Sequence, residues 1–556
     1  MLSLFVAHSV ALACGGFFCN NSLPVDQSAE RILFAQDPDT GWVETHVQIF
    51  YEGPSEEFAW VVPVPSVPEV FLSSDTMFDE LALGYAPRFS LDYVEVDWCT
   101  HDYDYGGYGG GGSGYYSGYS YSQADTGGGT VTVVDTSTVG AYETVTLQAE
   151  TSEGLLDWLV GNGFDLPATL DPVLAPYVAS ESYFVAMRLA KDADDGAVQP
   201  IGLRYQSVGV SVPIQLTSIA ATPDMRLEIY MLGEYRAVPE SYLHVQINEA
   251  AVDWFGGGAN YDDVVTRAAD EAGGHAFATD YTGPSDLPND WMYDDGQYDT
   301  DRIAAQSDPY DAIRETQRQF AASALLLATL EAFVPPPDGW DAQDFYNAVS
   351  YYEPPLPPDY TWDGPGLAAA LQERIVEPHV RIGDLFDTYP HLTRLTSSLD
   401  AAEMTVDPTF VLNREMDQDL ATQHTATVRM LCGDGGDWDE APREFVLPDG
   451  RQIGLPSIDE LQALGLTEFE YMEPLQKQAA LVIEQTSGTE PPVVLADYTD
   501  QETTNAETFT STSTGDPASG PPEVKVEGDG CGCRSGTGSA VLSWVALLPV
   551  LLRRRR

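Results

Sequence analysis

Glu44-Thr-His-Val-Gln-Ile-Phe-Tyr51 largely alternates polar and apolar residues with period two, the pattern of a strand with one face on a core and the other in water. Just beyond it, Phe58-Ala-Trp-Val-Val-Pro-Val-Pro65 is more apolar. Its prolines cannot donate to a ladder, so the stretch belongs at a strand end or a sheet edge. Working outward, strands are expected at 139–149, 183–190, 201–206, 212–220, 225–232 and 242–248, and helices at 76–83 and 152–161. Short turns between the later strands favour antiparallel pairing. Residues 14–260 therefore read as a mainly β portion.

From residue 260 the period changes. Segments 261–272, 309–333, 342–352 and much of 366–399 read as helical, the last with a break near Pro378. The apolar run 320–334 contains Ser323, Thr329 and Glu331 and stops at Pro335-Pro336-Pro337, so it reads as a core helix whose first turn lies near Pro309, behind Ser307-Asp308 as a cap. Strands return at 410–413, 424–431 and 443–447, and 456–465 reads as helical. The expected class is α+β: a mostly antiparallel sheet portion, then a mostly helical portion, 261–485, with late strands. Inside the β portion, 102–129 is almost wholly Gly, Tyr, Ser and Asp. Glycine's entropy cost and the missing aliphatic residues make it a surface loop, with a Tyr-rich adhesive loop as the functional reading.

The 556 residues are 43% apolar and carry 87 acidic side chains against 25 Lys plus Arg, a formal charge of −62. Such a surface repels nucleic acid and anionic lipid, because binding phosphates requires Lys or Arg to neutralise them. Five arginines, Arg534 and Arg553 to Arg556, lie in the extreme C-terminal tail, and losing them would leave −67.

Both ends read as addressing signals. Residues 1–13 are mainly apolar and close on Ala11-Leu12-Ala13 before Cys14, the small-residue pattern of a signal-peptide cleavage site. A positive n-region is missing, and Ala11 makes a poor lipobox, so cleavage before an unlipidated Cys14 is expected. Residues 486–530 shift to Thr, Ser, Pro, Gly, Asp and Glu and read as a disordered stalk. There follow Cys531-Gly532-Cys533, a small polar spacer, an apolar run over 540–552, and Arg553-Arg554-Arg555-Arg556. With its spacer that run nearly spans a bilayer, and the arginines would hold its end in the cytoplasm.

This tail, 531–556, is similar to the myxobacterial C-terminal sorting signal (MYXO-CTERM). The resemblance implies cleavage near Cys531 or Cys533 by a sorting protease and retention on the outer surface. In the body, Ala13-Cys-Gly-Gly-Phe-Phe-Cys19, Pro24-Val-Asp-Gln27 with Glu30-Arg-Ile32, Trp60-Val-Val-Pro-Val-Pro65 and Ala402-Glu-Met-Thr-Val-Asp-Pro408 resemble the bacterial family of domain of unknown function 2330, over most of 13–435. That family has no assigned activity, so the resemblance supplies no catalytic residues.

Four body cysteines remain: Cys14, Cys19, Cys99 and Cys432. In an exported chain they suggest two disulfides among three pairings; the local pair Cys14–Cys19 is favoured, which leaves Cys99–Cys432. No paired C-x-x-C, H-E-x-x-H, G-x-S-x-G or S-x-x-K occurs. His46 and His244 fall in expected strands as ordinary sheet residues, and Gly256-Gly257-Gly258 reads as a turn. Three acidic loops offer the hard oxygen ligands of calcium: Asp192, Asp194 and Asp195; Asp294, Asp295 and Asp299; Asp434, Asp437 and Asp439. None has the spacing of a twelve-residue calcium loop, and no other cofactor is expected.

The expectation is therefore an exported protein of the outer cell surface: a non-enzymatic envelope component or a binding and adhesion module. The alternative is a secreted hydrolase without a recognisable motif. Its expected partners are the export machinery, the sorting protease and, through the unprocessed tail, the membrane; the extracellular ligand is left open. An enzyme should show a cleft where nucleophile and base converge, a binding module an exposed apolar or aromatic patch.

Overall fold

The computed structural model describes residues 26–38, 40–52, 59–100, 131–162, 164, 170–189, 199–356, 360–433, 435–473 and 478–499. All of these fall in one compact unit. Residues 1–25, the insert 102–129 and the tail 531–556 lie outside them, and with them Cys14, Cys19 and the sorting residues.

The centre is a ten-stranded sheet. Its strands are β1 (Asp26–Asp37), β2 (Trp42–Glu52), β4 (Glu69–Leu72), β9 (Ile201–Gln206), β11 (Ala221–Gly233), β13 (Leu243–Ile247), β14 (Ala276–Pro284), β15 (His391–Leu399), β20 (Ala480–Gln485) and β21 (Val493–Asp497). They lie in the order β21-β20-β13-β14-β15-β11-β1-β2-β9-β4. The pairs β1·β11 and β13·β14 are parallel and the rest antiparallel. Strand alternation sends Ile32 and Phe34 of β1 to one face and Leu33 and Ala35 to the other, and all four are buried.

On the Ile32 face packs a second sheet, ordered β3 (Ala59–Val64), β8 (Tyr183–Leu189), β7 (Tyr142–Ala149) and β6 (Val131–Val139). Trp60, Val62, Val185 and Met187 meet Phe34, Val47, Ile229 and Met231 there. The Pro-bearing β3 is an edge strand, where a missing N–H does least harm. The far face of this sheet is closed by α2 (Ser152–Gly161) and α3 (Asp171–Ala179) through Leu155, Leu159 and Leu174. On the Leu33 face lie α1 (Asp75–Tyr85) and α11 (Glu377–Thr388), contributing Met77, Phe78, Leu81, Ile382 and Phe386, with α5 (Tyr261–Glu271) further along. The body is thus layered helix, sheet, sheet, helix, an α+β arrangement with an apolar cluster between the two inner sheet faces.

A helical group, α6 (Thr300–Ala304), α7 (Pro309–Gln319), α8 (Ala324–Phe333), α9 (Ala342–Val349) and α10 (Gly364–Leu371), shares its own core around Ile313, Leu330, Phe345 and Leu367. A third sheet, β19 (Gln452–Leu455), β18 (Arg443–Val446), β17 (Gln423–Leu431) and β5 (Arg88–Val96), ends in the parallel pair β5·β17. Immediately past it, Cys99 and Cys432 are joined by a disulfide with Cα atoms 5.3 Å apart. Three short strands, β10 (Val210–Ser211), β12 (Ala237–Pro239) and β16 (Thr409–Leu412), form a fourth sheet, and α12 (Ile458–Leu464) and α13 (Glu468–Met472) follow the third.

Several expectations are corrected. The single helix over 309–333 is two, because Phe320 turns extended and the Ser323 hydroxyl caps α8 by accepting from the Leu326 N–H at 3.1 Å. The strand expected over 212–220 does not form: the two-residue β10 ends at Ser211, and the short helix α4 (Ile214–Thr217) follows just past Pro213. No break occurs at Pro378: α10 passes through a π turn, Gln372–Val376, into α11, and the proline sits in the first turn of that helix. The last part of 366–399 is not helix but β15. The portions 14–260 and 261–485 share one sheet, since β14, β15 and β20 join β1, β2 and β11 in it. Within the stalk expected from 486, β21 is an ordered strand. Among the described residues no helix is long and apolar enough to cross a membrane.

Candidate functional site

β2 is not half-buried. Val43 to Gln48 are buried on both faces, because α1 and α11 cover the face that carries Glu44, His46 and Gln48. A carboxylate taken out of water must be paired, and Glu44 is. Arg381 of α11 forks onto it, Nε to Oε1 at 2.6 Å and Nη2 to Oε2 at 2.9 Å, the bidentate geometry that makes guanidinium–carboxylate bonds strong. The third arm of the same guanidinium, Nη1, donates to Glu69 Oε1 at 2.9 Å, and its carbon lies 3.4 Å from the centroid of the Phe71 ring. Behind Phe71, which its T-shaped contact holds in place, His46 sets Nδ1 2.7 Å from Ser73 Oγ and Nε2 3.3 Å from Glu44 Oε1. Burial alone would raise the Glu44 carboxyl, but His46 and Arg381 outweigh it and hold it at about 2.

Hydroxyl, imidazole and carboxylate thus lie in a row like the groups of a hydrolase relay, although His46 Nε2 makes no hydrogen bond to the carboxylate it faces. Ser73 is 0% and His46 1% exposed, however, so no substrate meets the hydroxyl in this structure. What faces solvent is a groove of about 490 Å³ in front of Phe71. Val70, Phe71, Leu72 and Val139 give it an apolar side. The π turn and α11 present Glu373, Glu377, Arg381 and Asp384 on the other, with Asp295 at one end. π turns widen a helix locally and recur at functional sites. The lining holds five carboxylates and one guanidinium, and that guanidinium is already committed to Glu44 and Glu69.

Beside the relay, Asp75 opens α1 and accepts from Gln48 Nε2 at 2.9 Å. Burial, with Asp79 adding to it, raises its carboxyl to about 6 although Gln48 pulls the other way. The folded chain therefore holds more protons than the unfolded chain between about pH 4 and 6. Its favourable share is complete below the unfolded pKa of 3.8 and lost as pH rises through about 6. Asp75→Asn keeps the acceptor and removes the charge. It is expected to raise stability by up to about 3 kcal/mol at pH 8 and leave it nearly unchanged at pH 4. Urea midpoints at the two pH values check this, and equal gains at both would refute it.

The other expected site residues lie apart from the groove, Asp295 excepted. Asp294 caps the turn Asp295–Gln297 by accepting from the Gly296 N–H at 2.8 Å, Asp299 caps α6 through the Arg302 N–H at 3.0 Å, and Asp437 accepts from the Asp439 N–H at 2.9 Å. Asp192, Asp194, Asp195 and Asp434 lie outside the described residues. Among those described, no group of three His, Cys, Asp or Glu side chains is arranged to hold a metal ion. His244 is buried in β13 between Glu484 (2.8 Å) and Thr279 (2.9 Å), and Gly257 and Gly258 take the positive φ of a turn. Arg381 and Glu44, the pair on which the groove is built, carry no motif. The one sequence signal for them is a carboxylate and a histidine two apart in a strand.

Residues 8–293, just over half of the chain, match the family described as an uncharacterized protein conserved in bacteria, domain of unknown function 2330. The chain belongs to that family. The matched span ends earlier than the 435 expected, at Tyr293 in the short helical turn past β14, and leaves out the Ala402–Pro408 run. The domain of unknown function 2330 match takes in Glu44, His46, Glu69, Phe71 and Ser73, while Arg381 and the acidic wall of α11 lie beyond it. No curated protein and no solved structure matches the chain.

Proposed function

We propose that this member of the domain of unknown function 2330 family is exported, held at the outer cell surface by a processed sorting tail of the MYXO-CTERM kind, and acts there as a binding or adhesion module. The observation that carries the reading is the contrast between relay and groove. The hydroxyl and imidazole that could do chemistry are buried behind Phe71, whereas the accessible face offers preorganised charges beside an apolar wall, the make-up of a ligand site. The Cys99–Cys432 bridge supports export, because disulfides persist in oxidising compartments. Export machinery and a sorting protease are its partners in reaching the surface.

The relay of Ser73, His46 and Glu44 favours the second reading, a secreted hydrolase opened by its substrate. Two measurements decide. An antibody to the body should stain intact cells of the source bacterium; staining only after permeabilisation overturns surface display. A fluorophosphonate probe should leave the full-length protein unlabelled; stoichiometric labelling of Ser73 makes it a hydrolase.

A further inference from the structure

A second cavity lies in the helical group. The tight turn before α9, with Gly339 at φ +85° and the Trp340 N–H donating to the Pro337 carbonyl at 3.0 Å, holds the Trp340 indole at the surface. Asp344, Asn347 and Ala348 follow at the three- and four-residue spacing that lines one helical face. Just past the helix, Tyr351 is tied back by its N–H to the Ala348 carbonyl at 2.8 Å. Together with Asp341 these residues line an open cavity of about 360 Å³. Trp340 is 37% and Tyr351 89% exposed. Trp340 packs against Phe345 and Tyr352, with ring centroids 6.4 and 6.0 Å away, and leaves the rest of its indole in water; with the far more exposed Tyr351 it brackets a row of polar groups.

Each part of the lining limits the ligand. Trp340 and Tyr351 flank α9, whose 8 residues at ~1.5 Å each run roughly 12 Å, so the trough is too long and too open for a single small ion. Asp341 is engaged in capping, accepting from the Asp344 N–H at 3.2 Å. The Asp344 carboxylate and the Asn347 amide face the cavity with no partner shown among the described side chains. A carboxylate accepts short, strong bonds from hydroxyls, and a carboxamide both donates and accepts. No Lys or Arg lines the trough, and the chain's charge of −62 repels anionic polymers. A ligand with flat apolar faces at intervals, many hydroxyls between them and no negative charge fits all three conditions.

We propose that the α9 trough is a carbohydrate site: a neutral oligosaccharide lays pyranose faces on Trp340 and Tyr351 and directs its hydroxyls to Asp344 and Asn347. The site is separate from the Arg381 groove, and its failure leaves the reading of that groove standing.

Saturation-transfer NMR and calorimetric titration on the full-length protein test it. The probes are neutral trisaccharides of glucose, galactose, mannose and N-acetylglucosamine, with choline chloride at matched ionic strength as the organic cation that aromatic rings and carboxylates would also attract. At least one trisaccharide should bind saturably. Trp340→Ala and Tyr351→Ala should each weaken it tenfold or more and Asp344→Asn about fivefold, while Trp291→Ala, an exposed aromatic elsewhere, should leave it unchanged. Tyr351 is the more exposed ring, so Tyr351→Ala decides should Trp340→Ala alter the melting curve. The proposal is overturned if no trisaccharide binds, if binding survives Tyr351→Ala, or if choline alone binds at these residues.

Discussion

Replacing Cys99 and Cys432 together by alanine is expected to destabilise the protein by about 5 kcal/mol. The bridge spans 333 residues, and constraining so long a loop in the unfolded chain is worth ~5–6 kcal/mol in the chain-entropy account, before any strain. The location adds to the effect. β5 and β17 are parallel neighbours far apart in sequence, and β5 has no second partner in its sheet. Cys99, 1% exposed, sits in the apolar cluster with Trp254, Val428 and Phe445. Alanine is the right replacement, because serine would bury a hydroxyl as well. Urea denaturation of the double variant against the oxidised parent measures the difference, and reduction of the unfolded parent before refolding should reproduce it. A loss under 1 kcal/mol would show that the third sheet holds β5 without the bridge.

Arg394→Met is expected to cost 3–5 kcal/mol, the usual result of leaving buried charge uncompensated. Arg394 is buried in β15, with Nη2 3.2 Å from Glu228 Oε1 and Nε 3.5 Å from Asp280 Oδ2. Glu228 is reached as well by Arg31 at 3.1 Å and Arg226 at 2.8 Å, and Tyr230 donates to it at 2.9 Å. Asp280, equally buried, keeps among the described side chains the hydroxyls of Tyr261 and Thr396 once Arg394 is gone. Adding Asp280→Asn should therefore recover part of the loss, which a merely steric role for Arg394 does not predict. There is a pH signature too. Burial would raise Glu228, but Arg394, Arg226 and Arg31 bring it down to about 2. A depressed carboxyl stabilises above its unfolded pKa near 4.5 and loses that contribution as pH falls through about 2. The acid side of the stability curve should be shallower in Arg394→Met than in the parent, and identical curves would discount the ion network.

The same polar row explains what the sequence hid. β15 reads His391-Leu-Thr-Arg-Leu-Thr-Ser-Ser-Leu399, with leucines spaced three and four apart, so it passes for a helix. It is a strand whose polar side chains are buried, Thr393, Arg394, Thr396 and Ser397 among them. β1 carries little local signal, because its apolar run is short and follows Glu30 and Arg31, and Arg31 is drawn into the sheet by Glu228, distant in sequence. Where the local pattern is ordinary, element and sequence agree: strand β9 lies at 201–206 and helix α2 at 152–161, as expected. The groove was least legible. Glu44, His46 and Gln48 look like the wet side of a half-buried strand, and nothing local announces that an arginine 337 residues away will fold over them. The cysteine pair was legible because arithmetic, unlike packing, needs no neighbours.

The strand order of the main sheet sets how the chain can assemble. β1 pairs with β2 across a tight turn, but its other neighbour is met through Arg31 and Glu228, 197 residues apart, and β13 meets β20 through His244 and Glu484, 240 apart. Contacts this distant in sequence must close long loops before they return any stabilisation, so folding is slow for the chain's size and its transition state cannot be local. Until residues 480–485 arrive, β13 offers an unpaired edge, the kind of surface on which partly folded chains associate.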